Sequence, residues 1–259
     1  MSAVAEARSS QEERRPGANL RAAAVSRHFE GVRALEGVTL ELQRHEVVGL
    51  IGPNGAGKTT LVNLLTGFDF PTSGSVELEG TEITSWPPHR RTRAGLARTF
   101  QQGHVFRGLS VRENVEVAAL GVGARAKEAR HRSDELLEML GLSGRSRQPA
   151  AILSHGEERK LDVARALASE PRFLLMDEPA AGLHETEVAD FADVVRRVRD
   201  DRKTGILLID HNIGLIMDVC DRIQVLDQGK TLAEGTPAEV RRNIDVATAY
   251  FGRATGGDG

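Results

Sequence analysis

The chain has 259 residues, of which 40% are hydrophobic and 27% are charged, as in an ordinary folded globular protein. Its 34 basic and 37 acidic residues give a net charge of −3, which argues against a surface built to bind nucleic acid. The single cysteine, Cys220, excludes an intrachain disulfide and fits a reducing compartment. No apolar run approaches the roughly 18 residues that a membrane-spanning helix needs.

The first part of the chain predicts a tail followed by short strands. Residues 1–19 lack apolar periodicity, which predicts a disordered tail without a secretory signal. Four apolar strands follow, and their spacing resembles an antiparallel layer; they are predicted at 21–25, 38–42, 46–51 and 75–79. A helix over 57–67 follows the third strand through a glycine-rich turn. Strand, loop and helix in that order indicate a phosphate-binding unit.

The second part of the chain predicts helices and then a parallel sheet. Helical spacing at 110–118, 126–140 and about 154–168 indicates a helical insertion. Wholly apolar strands at 173–176 and 206–209 flank a helix at about 185–200, which predicts a parallel sheet covered on both faces. Near the end, strands at 222–226 and 231–233 form a predicted hairpin, and a short helix begins at Pro237.

One segment matches the phosphate-loop pattern G-x-x-x-x-G-K-[ST]. An apolar strand precedes it and a predicted helix follows, which is the context that the motif requires. Glycines allow the backbone to wrap closely around phosphates, the lysine reaches the β and γ phosphates, and the first threonine ligates Mg²⁺. The predicted nucleotide-binding residues are Gly52, Pro53, Asn54, Gly55, Ala56, Gly57, Lys58, Thr59 and Thr60.

An acidic pair follows the apolar strand at 173–176. Adjacent side chains diverge at a strand end, so Asp177 and Glu178 are expected to do different work. Asp177 suits the Mg²⁺ shell, and Glu178 suits activation of the attacking water. Together with the phosphate loop, the pair predicts a nucleoside triphosphatase.

A third motif, Leu153-Ser154-His155-Gly156-Glu157, resembles the LSGGQ signature of ATP-binding-cassette (ABC) proteins. His155 replaces the first glycine of the pair and Glu157 replaces glutamine, and a large residue at the middle position is typical of the importers for branched-chain amino acids. Locally, Ser154 with Glu157 also predicts a capping box at the start of a helix. In the family, this helix end faces the γ-phosphate held by a second protomer, which implies nucleotide contacts from Ser154, Gly156 and Glu157.

Other positions match the same family. His211, after the strand at 206–209, resembles the switch histidine that contacts the γ-phosphate. Gln101 matches the glutamine that senses Mg²⁺ and water, with Gln102 as a neighbouring competitor. Phe29 lies where the family places an aromatic ring under adenine, with a plain core phenylalanine as the alternative. His184 stands near the position of a usual Asp in the segment 180–184.

The resemblance implies an α/β ABC ATPase fold: a RecA-like P-loop NTPase core at about 20–101 and 168–253, an N-terminal antiparallel β layer and a helical subdomain at about 102–167. Residues 254–259 are expected to be flexible. Catalytic roles fall to Lys58, Gln101, Glu178 and His211, and metal ligation to Thr59, Gln101 and Asp177, with ATP and Mg²⁺ bound.

The implied partners are a second ABC ATPase subunit, either a copy or a paralogue, in a head-to-tail dimer, and integral membrane permease subunits. A solute-binding protein is implied indirectly, and nucleic acid is not. The implied location is peripheral, at the cytoplasmic face of the inner membrane. The nearest group powers uptake of branched-chain or related amino acids. The alternatives are a cassette that extracts lipid or lipopolysaccharide and an ABC ATPase without a transport role.

Overall fold

The computed structural model describes residues 19–99 and 105–246, which form two sheets and eight α-helices within those ranges. The strands are β1 Asn19–Phe29, β2 Val32–Gln43, β3 Val47–Ile51, β4 Ser73–Leu78, β5 Thr81–Glu82, β6 Leu96–Arg98, β7 Phe173–Asp177, β8 Gly205–Ile209, β9 Arg222–Asp227 and β10 Lys230–Gly235. The helices are α1 Lys58–Thr66, α2 Pro88–Arg93, α3 Val111–Gly121, α4 Ala126–Met139, α5 His155–Leu167, α6 Glu185–Arg202, α7 Ile213–Val219 and α8 Pro237–Arg242.

The six-stranded sheet has the order β10-β9-β3-β8-β7-β6, and only the edge pair β9 and β10 is antiparallel. Every residue of β3, β7 and β8 is buried, as expected for parallel strands covered on both faces. The carboxyl ends of these strands meet at one edge of the sheet, where ligands bind in open α/β folds. The motifs that follow β3, β7 and β8 are therefore brought together.

The sequence analysis assigned one strand to the wrong sheet. The strand predicted at 46–51 was placed with the antiparallel layer, whereas β3 pairs in parallel with β8 and β9. The antiparallel sheet contains β2-β1-β4-β5 instead. The reason is visible in burial: β3 is buried on both faces, while β1 and β2 alternate between buried and exposed positions. β1 begins at Asn19, the last residue of the predicted tail.

Two hydrophobic clusters hold the layers together. One fills the space between the antiparallel sheet, α1 and one face of the parallel sheet, with Leu20, Leu40, Leu61 and Leu207 among its members. The other joins the opposite face of the parallel sheet to α6 and to the helical region formed by α3, α4 and α5. Among the described helices, none combines the length and apolar character that crossing a bilayer demands.

The helix α1 is fixed at its carboxyl end by a buried arginine. Arg91, which is fully buried in α2, donates to the carbonyl oxygens of Leu64 at 2.6 Å and Leu65 at 2.7 Å. Burial lowers the pKa of Arg91 to about 10, so the guanidinium stays charged near neutral pH. A cation at this end complements the helix dipole and anchors the helix whose other end forms the phosphate loop. The sequence analysis missed α2, α7 and the short strand β5.

Candidate nucleotide-binding site

The phosphate loop joins β3 to α1. Gly57 is the N-cap residue of α1 and has a φ of 103°, a left-handed conformation that favours glycine. A Cβ there would lie 2.7 Å from the carbonyl oxygen of Ala34, so a side chain would also collide with the neighbouring sheet. The predicted strand, loop and helix are therefore all present.

Lys58 is the buried cation of this loop, with 9% of its surface exposed. Its Nζ donates to the carbonyl oxygen of Gly52 at 2.6 Å and to that of Pro53 at 3.1 Å. Burial lowers the pKa of Lys58 from its ordinary value, and the charges of Glu178 and Asp177 oppose that shift. A charged amine is thus held beside two carboxylates and the backbone of the loop.

An open cavity of about 480 Å³ lies over the phosphate loop. It is lined by Val32, Arg33, Ala34, Asn54, Gly55, Ala56, Gly57, Lys58, Thr59, Thr60, Glu178, His211 and Gln228. Gly52 and Pro53, which were predicted to bind nucleotide, do not line it; their carbonyl groups hold Lys58 instead. The cavity joins residues that follow three different strands of the parallel sheet.

Glu178 and His211 form one wall of this cavity. Asp177 at the end of β7 is in register with Ile209 at the end of β8, so the residues that follow each strand are neighbours. The His211 Nε2 and the Glu178 Oε1 are 3.1 Å apart. Glu178 adopts a left-handed φ of 49°, and its amide donates to the Ile209 carbonyl oxygen at 2.7 Å. The backbone therefore turns sharply after Asp177 and separates the two acidic side chains.

Asp177 is held by an arginine from β6. The Arg98 guanidinium donates to Asp177 Oδ2 at 2.7 Å and to Asn63 Oδ1 of α1 at 2.7 Å. The side chains of Arg98 and Asp177 are only 10% and 7% exposed, respectively. One guanidinium thus joins the acidic strand to the helix of the phosphate loop.

The donor chemistry near Lys58 is compatible with a magnesium ion that arrives with nucleotide phosphates. Thr59 offers a hydroxyl oxygen and Asp177 a carboxylate, both hard oxygen donors of the kind that Mg²⁺ takes. Within residues 19–99 and 105–246, no group of three or more His, Cys, Asp or Glu side chains could hold a metal ion. Gln101, predicted as a further ligand, lies outside the described residues.

Phe29 lies at the end of β1, and 45% of its surface is exposed. The Arg27 guanidinium covers the ring at 4.4 Å from the centroid and is itself held by Asp69 at 2.8 Å. Phe29 does not line the cavity, although Val32, its partner on β2, does. An exposed ring backed by an arginine differs from the alternative, a buried core phenylalanine.

The signature-like motif forms the start of α5 and lines a second, separate cavity. Ser154 is the N-cap residue and forms a capping box with Glu157, as predicted. The Glu157 carboxylate also contacts Arg145 at 2.9 Å. Burial raises the pKa of Glu157, but the hydrogen bond from the Ser154 amide and the Arg145 pair outweigh it, so that the pKa is lowered. The Glu157 carboxylate is therefore held by the Ser154 amide and by Arg145, whose positive charge offsets its own.

This second cavity has a volume of about 240 Å³ and lies between the first turns of α5 and α6. Its lining includes Ser154, Gly156, Glu157, Lys160 and Glu187, and it shares no residue with the cavity over the phosphate loop. Sequence analysis predicted that both sets of residues contact nucleotide. Within one chain, the described structure keeps them apart.

Comparison with known proteins decides the family. A family model described as ABC transporter matches residues 35–181, more than half of the chain. The chain belongs to the ABC transporter family. A second model, described as branched-chain amino acid ATP-binding cassette transporter, matches residues 230–255. The predictions of family and of fold are confirmed.

Individual relatives of this cassette support the same family assignment. It is 42% identical over 241 residues to the high-affinity branched-chain amino acid transport ATP-binding protein LivG of Salmonella typhimurium, covering 87% of this chain and 94% of that protein. It is 38% identical to the BraF protein of Pseudomonas aeruginosa, covering 91% of this chain and 98% of that protein. A crystal structure of an ABC transporter cassette in its ADP conformation superposes with a TM-score of 0.82 at 28% identity, covering 91% of this chain and 99% of that chain.

Family membership makes the chain an ATP-binding subunit and an ATPase. The sequence analysis missed the role of Arg98 in this cassette, because that role depends on β6 lying beside β7 in the sheet. The available signal was an arginine at the end of a short apolar segment directly before the predicted Gln101. It also missed Asp210, a buried carboxylate that accepts from the Ala180 amide at 2.8 Å.

Proposed function

We propose that this cassette hydrolyses MgATP in a site shared with a second cassette and thereby powers uptake of branched-chain or related amino acids. One observation carries the catalytic part: Glu178 and His211 line the same cavity as Lys58 and the phosphate loop. An acceptor carboxylate, a histidine and a buried ammonium around one cavity are the groups that phosphoryl transfer to water uses.

In the proposed reaction, the Glu178 carboxylate orients a water molecule and takes its proton as the water oxygen bonds to the γ-phosphorus. The bond from that phosphorus to the β–γ bridging oxygen breaks, and ADP and phosphate leave. Lys58 exchanges its carbonyl acceptors for phosphate oxygens and stabilises the negative charge that develops on them. His211 leaves its contact with Glu178 and holds the γ-phosphoryl oxygens.

Thr59 and Asp177 would hold Mg²⁺, which supplies charge neutralisation at the phosphates when it is bound. Arg98 keeps the Asp177 carboxylate oriented toward the phosphate-loop helix. Gln101 stays a prediction for the same shell. Phe29 is proposed to stack on adenine with the ring face that Arg27 leaves uncovered.

The second chain completes the nucleotide site. Ser154 and Gly156 line a different cavity from Lys58, so contact of both sets with one triphosphate requires two facing chains. The N-terminal end of α5 offers amide groups and a positive dipole end to the γ-phosphate of the partner's nucleotide. Nucleotide then joins the chains, and hydrolysis releases them.

The transported solute is proposed from the relatives, since two of them are named as branched-chain amino acid transport ATP-binding proteins. The partners would be integral permease subunits at the cytoplasmic face of the inner membrane, with a solute-binding protein on the other side. These relatives do not favour the alternatives of a lipid-extracting or non-transport cassette.

The catalytic assignment is tested with Glu178→Gln. Turnover should fall by on the order of a hundredfold or more, because glutamine cannot accept the proton, while ATP binding persists. Glu135→Gln, in the exposed face of α4, is the matched control and should keep parental turnover. Phosphate release and binding of a fluorescent ATP analogue measure the two properties. Undiminished hydrolysis by Glu178→Gln would remove Glu178 from the mechanism.

The solute assignment is tested by uptake. The cassette is reconstituted into vesicles with permease subunits and a solute-binding protein of the branched-chain amino acid type. ATP-dependent uptake of radiolabelled leucine is expected and should cease when the cassette carries Glu178→Gln. Transport of a lipid but not of leucine would replace the solute assignment and leave the ATPase mechanism intact.

A further inference from the structure

The segment 180–183 lies between the two halves of the proposed nucleotide site. It begins two residues after Glu178, and its first residue is hydrogen-bonded to the residue that precedes His211. The Ala180 amide donates to Asp210 Oδ2 at 2.8 Å, and Asp210 precedes His211. Asp210 is only 5% exposed, so this contact is an internal one. The beginning of the segment is therefore tied to the cavity over the phosphate loop.

The next residue of the segment, Ala181, is hydrogen-bonded to His155 of the signature motif. The Ala181 carbonyl oxygen lies 2.9 Å from His155 Nε2. A carbonyl oxygen can only accept, so the hydrogen bond requires the proton of the imidazole to be on Nε2. Arg159, one turn further along α5, lies 3.5 Å from the same carbonyl oxygen and adds a second, weaker donor. Consecutive residues Ala180 and Ala181 are thus held by groups from different sites.

Shape reinforces this hydrogen bond. Gly182 has a φ of 80°, and a Cβ there would lie 2.9 Å from His155 Nε2, so the imidazole rests against the glycine backbone. Nearby, a Cβ on Gly156 would lie 2.8 Å from Glu187 Oε1, at the start of α6. The signature motif and the chain that follows Glu178 therefore lie in close contact at two places.

We propose that His155 is a positioning residue that fixes the segment 180–183 to the signature motif, so that both are presented together to the nucleotide-bearing partner. This inference rests on the proposed two-chain site. The residue that departs from the glycine of the LSGGQ pattern thereby supplies a contact that glycine could not make. The His155 side chain is not part of the capping box of Ser154 and Glu157, so its replacement leaves that cap in place.

The test compares two amides in a Glu178→Gln background. The amide nitrogen of glutamine can reach the position of His Nε2, whereas that of asparagine reaches only the position of Nδ1. His155→Asn should therefore weaken ATP-dependent dimerisation by about tenfold, the effect of one hydrogen bond, and His155→Gln should restore it to within about threefold of the parent. Sedimentation velocity with MgATP measures the dimerisation constant.

Two further measurements distinguish a positioning role of His155 from a general loss of structure in the variants. Affinity of the single chain for a fluorescent ATP analogue should be unchanged in both variants, because His155 does not line the cavity over the phosphate loop. Hydrogen exchange of the segment 180–183 should be faster in His155→Asn than in the parent or in His155→Gln. His131→Asn, an exposed histidine of α4, is the control and should change neither property.

Equal dimerisation of His155→Asn and the parent would overturn the inference, as would an equal loss in the asparagine and glutamine variants. A parent that binds ATP but dimerises neither with itself nor with a paralogous cassette would instead overturn the proposed two-chain site and the inference with it. These results differ in whether the parent dimerises, so the two failures are distinguishable.

Discussion

The two cavities differ in what holds their residues. Around the phosphate loop, Lys58, Glu178 and His211 follow β3, β7 and β8, and the hydrogen-bonded register of one sheet sets their separation. Around the signature motif, Ser154 and Gly156 begin a helix whose contacts with the following segments include the His155 side chain on the Ala181 carbonyl group and Gly156 against the Glu187 side chain. Backbone pairing within one sheet therefore positions the residues of the first cavity, whereas contacts between helix ends and a loop position those of the second.

The largest difference in turnover and ATP binding is expected between substitutions of two lysines, one in each cavity. Lys58→Ala removes the buried cation of the first cavity and should reduce turnover by on the order of a hundredfold or more, with weakened ATP binding. Lys160→Ala removes a cation of the second cavity that pairs with Asp190 only at 3.9 Å. It should leave ATP binding by the single chain unchanged. Nucleotide titration and phosphate release measure both, and equal loss of binding in the two variants would contradict the division.

The buried pair of Arg98 and Asp177, which joins β7 to the phosphate-loop helix, should matter more for stability than an exposed pair. Arg98→Met leaves the buried Asp177 carboxylate without its guanidinium and should lower the free energy of unfolding by about 3 kcal/mol. Arg33→Met breaks an exposed pair with Glu36 and should cost less than about 1 kcal/mol. Urea unfolding measures both. A cost for Arg98→Met no larger than for Arg33→Met would show that the guanidinium does not hold the strand end.

Two serine N-caps allow the catalytic role of Ser154 to be separated from its role in stability. Ser110 of α3 and Ser154 of α5 are both N-cap residues in capping boxes. Each Ser→Ala change should lower the free energy of unfolding by about 1 kcal/mol. Only Ser154→Ala should also reduce turnover, since only Ser154 faces the partner's nucleotide in the proposed dimer. Thermal unfolding and ATPase assays in parallel separate capping from catalysis, and matched turnover would make Ser154 a cap alone.

The smallest effect concerns pH at the signature helix. Because the folded pKa of Glu157 is lowered, its contribution to stability is present above its unfolded pKa of about 4.3 and is lost as pH falls through the folded value. Glu157→Gln should therefore lower the free energy of unfolding slightly near neutral pH, where the ionised carboxylate contributes, and should remove that part of the acid dependence. Urea unfolding at several pH values checks this, and an unchanged acid limb would contradict the assigned contacts.

Much of the first cavity could be predicted from sequence because its motifs are local. The loop from Gly52 to Thr59 is continuous and Glu178 belongs to an acidic pair after an apolar strand, so local pattern finds them, whereas His211 was predicted from the family resemblance. Contacts across strands could not be predicted in this way. The pairing of Arg98 with Asp177 needs the order of the sheet, and the grouping of β3 was wrong for the same reason.

The second cavity shows the same limit more strongly. The capping box of Ser154 and Glu157 is encoded within four residues and was predicted. The contact of His155 with Ala181 joins residues 26 apart in the chain, and the departure from the family pattern gave only the residue type. The capping interaction between residues close in sequence could thus be predicted, whereas the contact between distant segments could not.

Nucleotide is proposed to bind between two chains, and the mass and nucleotide content of the ATP-bound particle report that arrangement. Sedimentation equilibrium of Glu178→Gln with MgATP, alone and mixed with a paralogous cassette, followed by a count of bound nucleotides, should give two chains and two nucleotides per particle in at least one of the two samples, and Ser154→Ala should weaken that assembly. A stable one-chain particle that retains ATP in both samples, unaffected by Ser154→Ala, would show that one chain binds nucleotide without a partner.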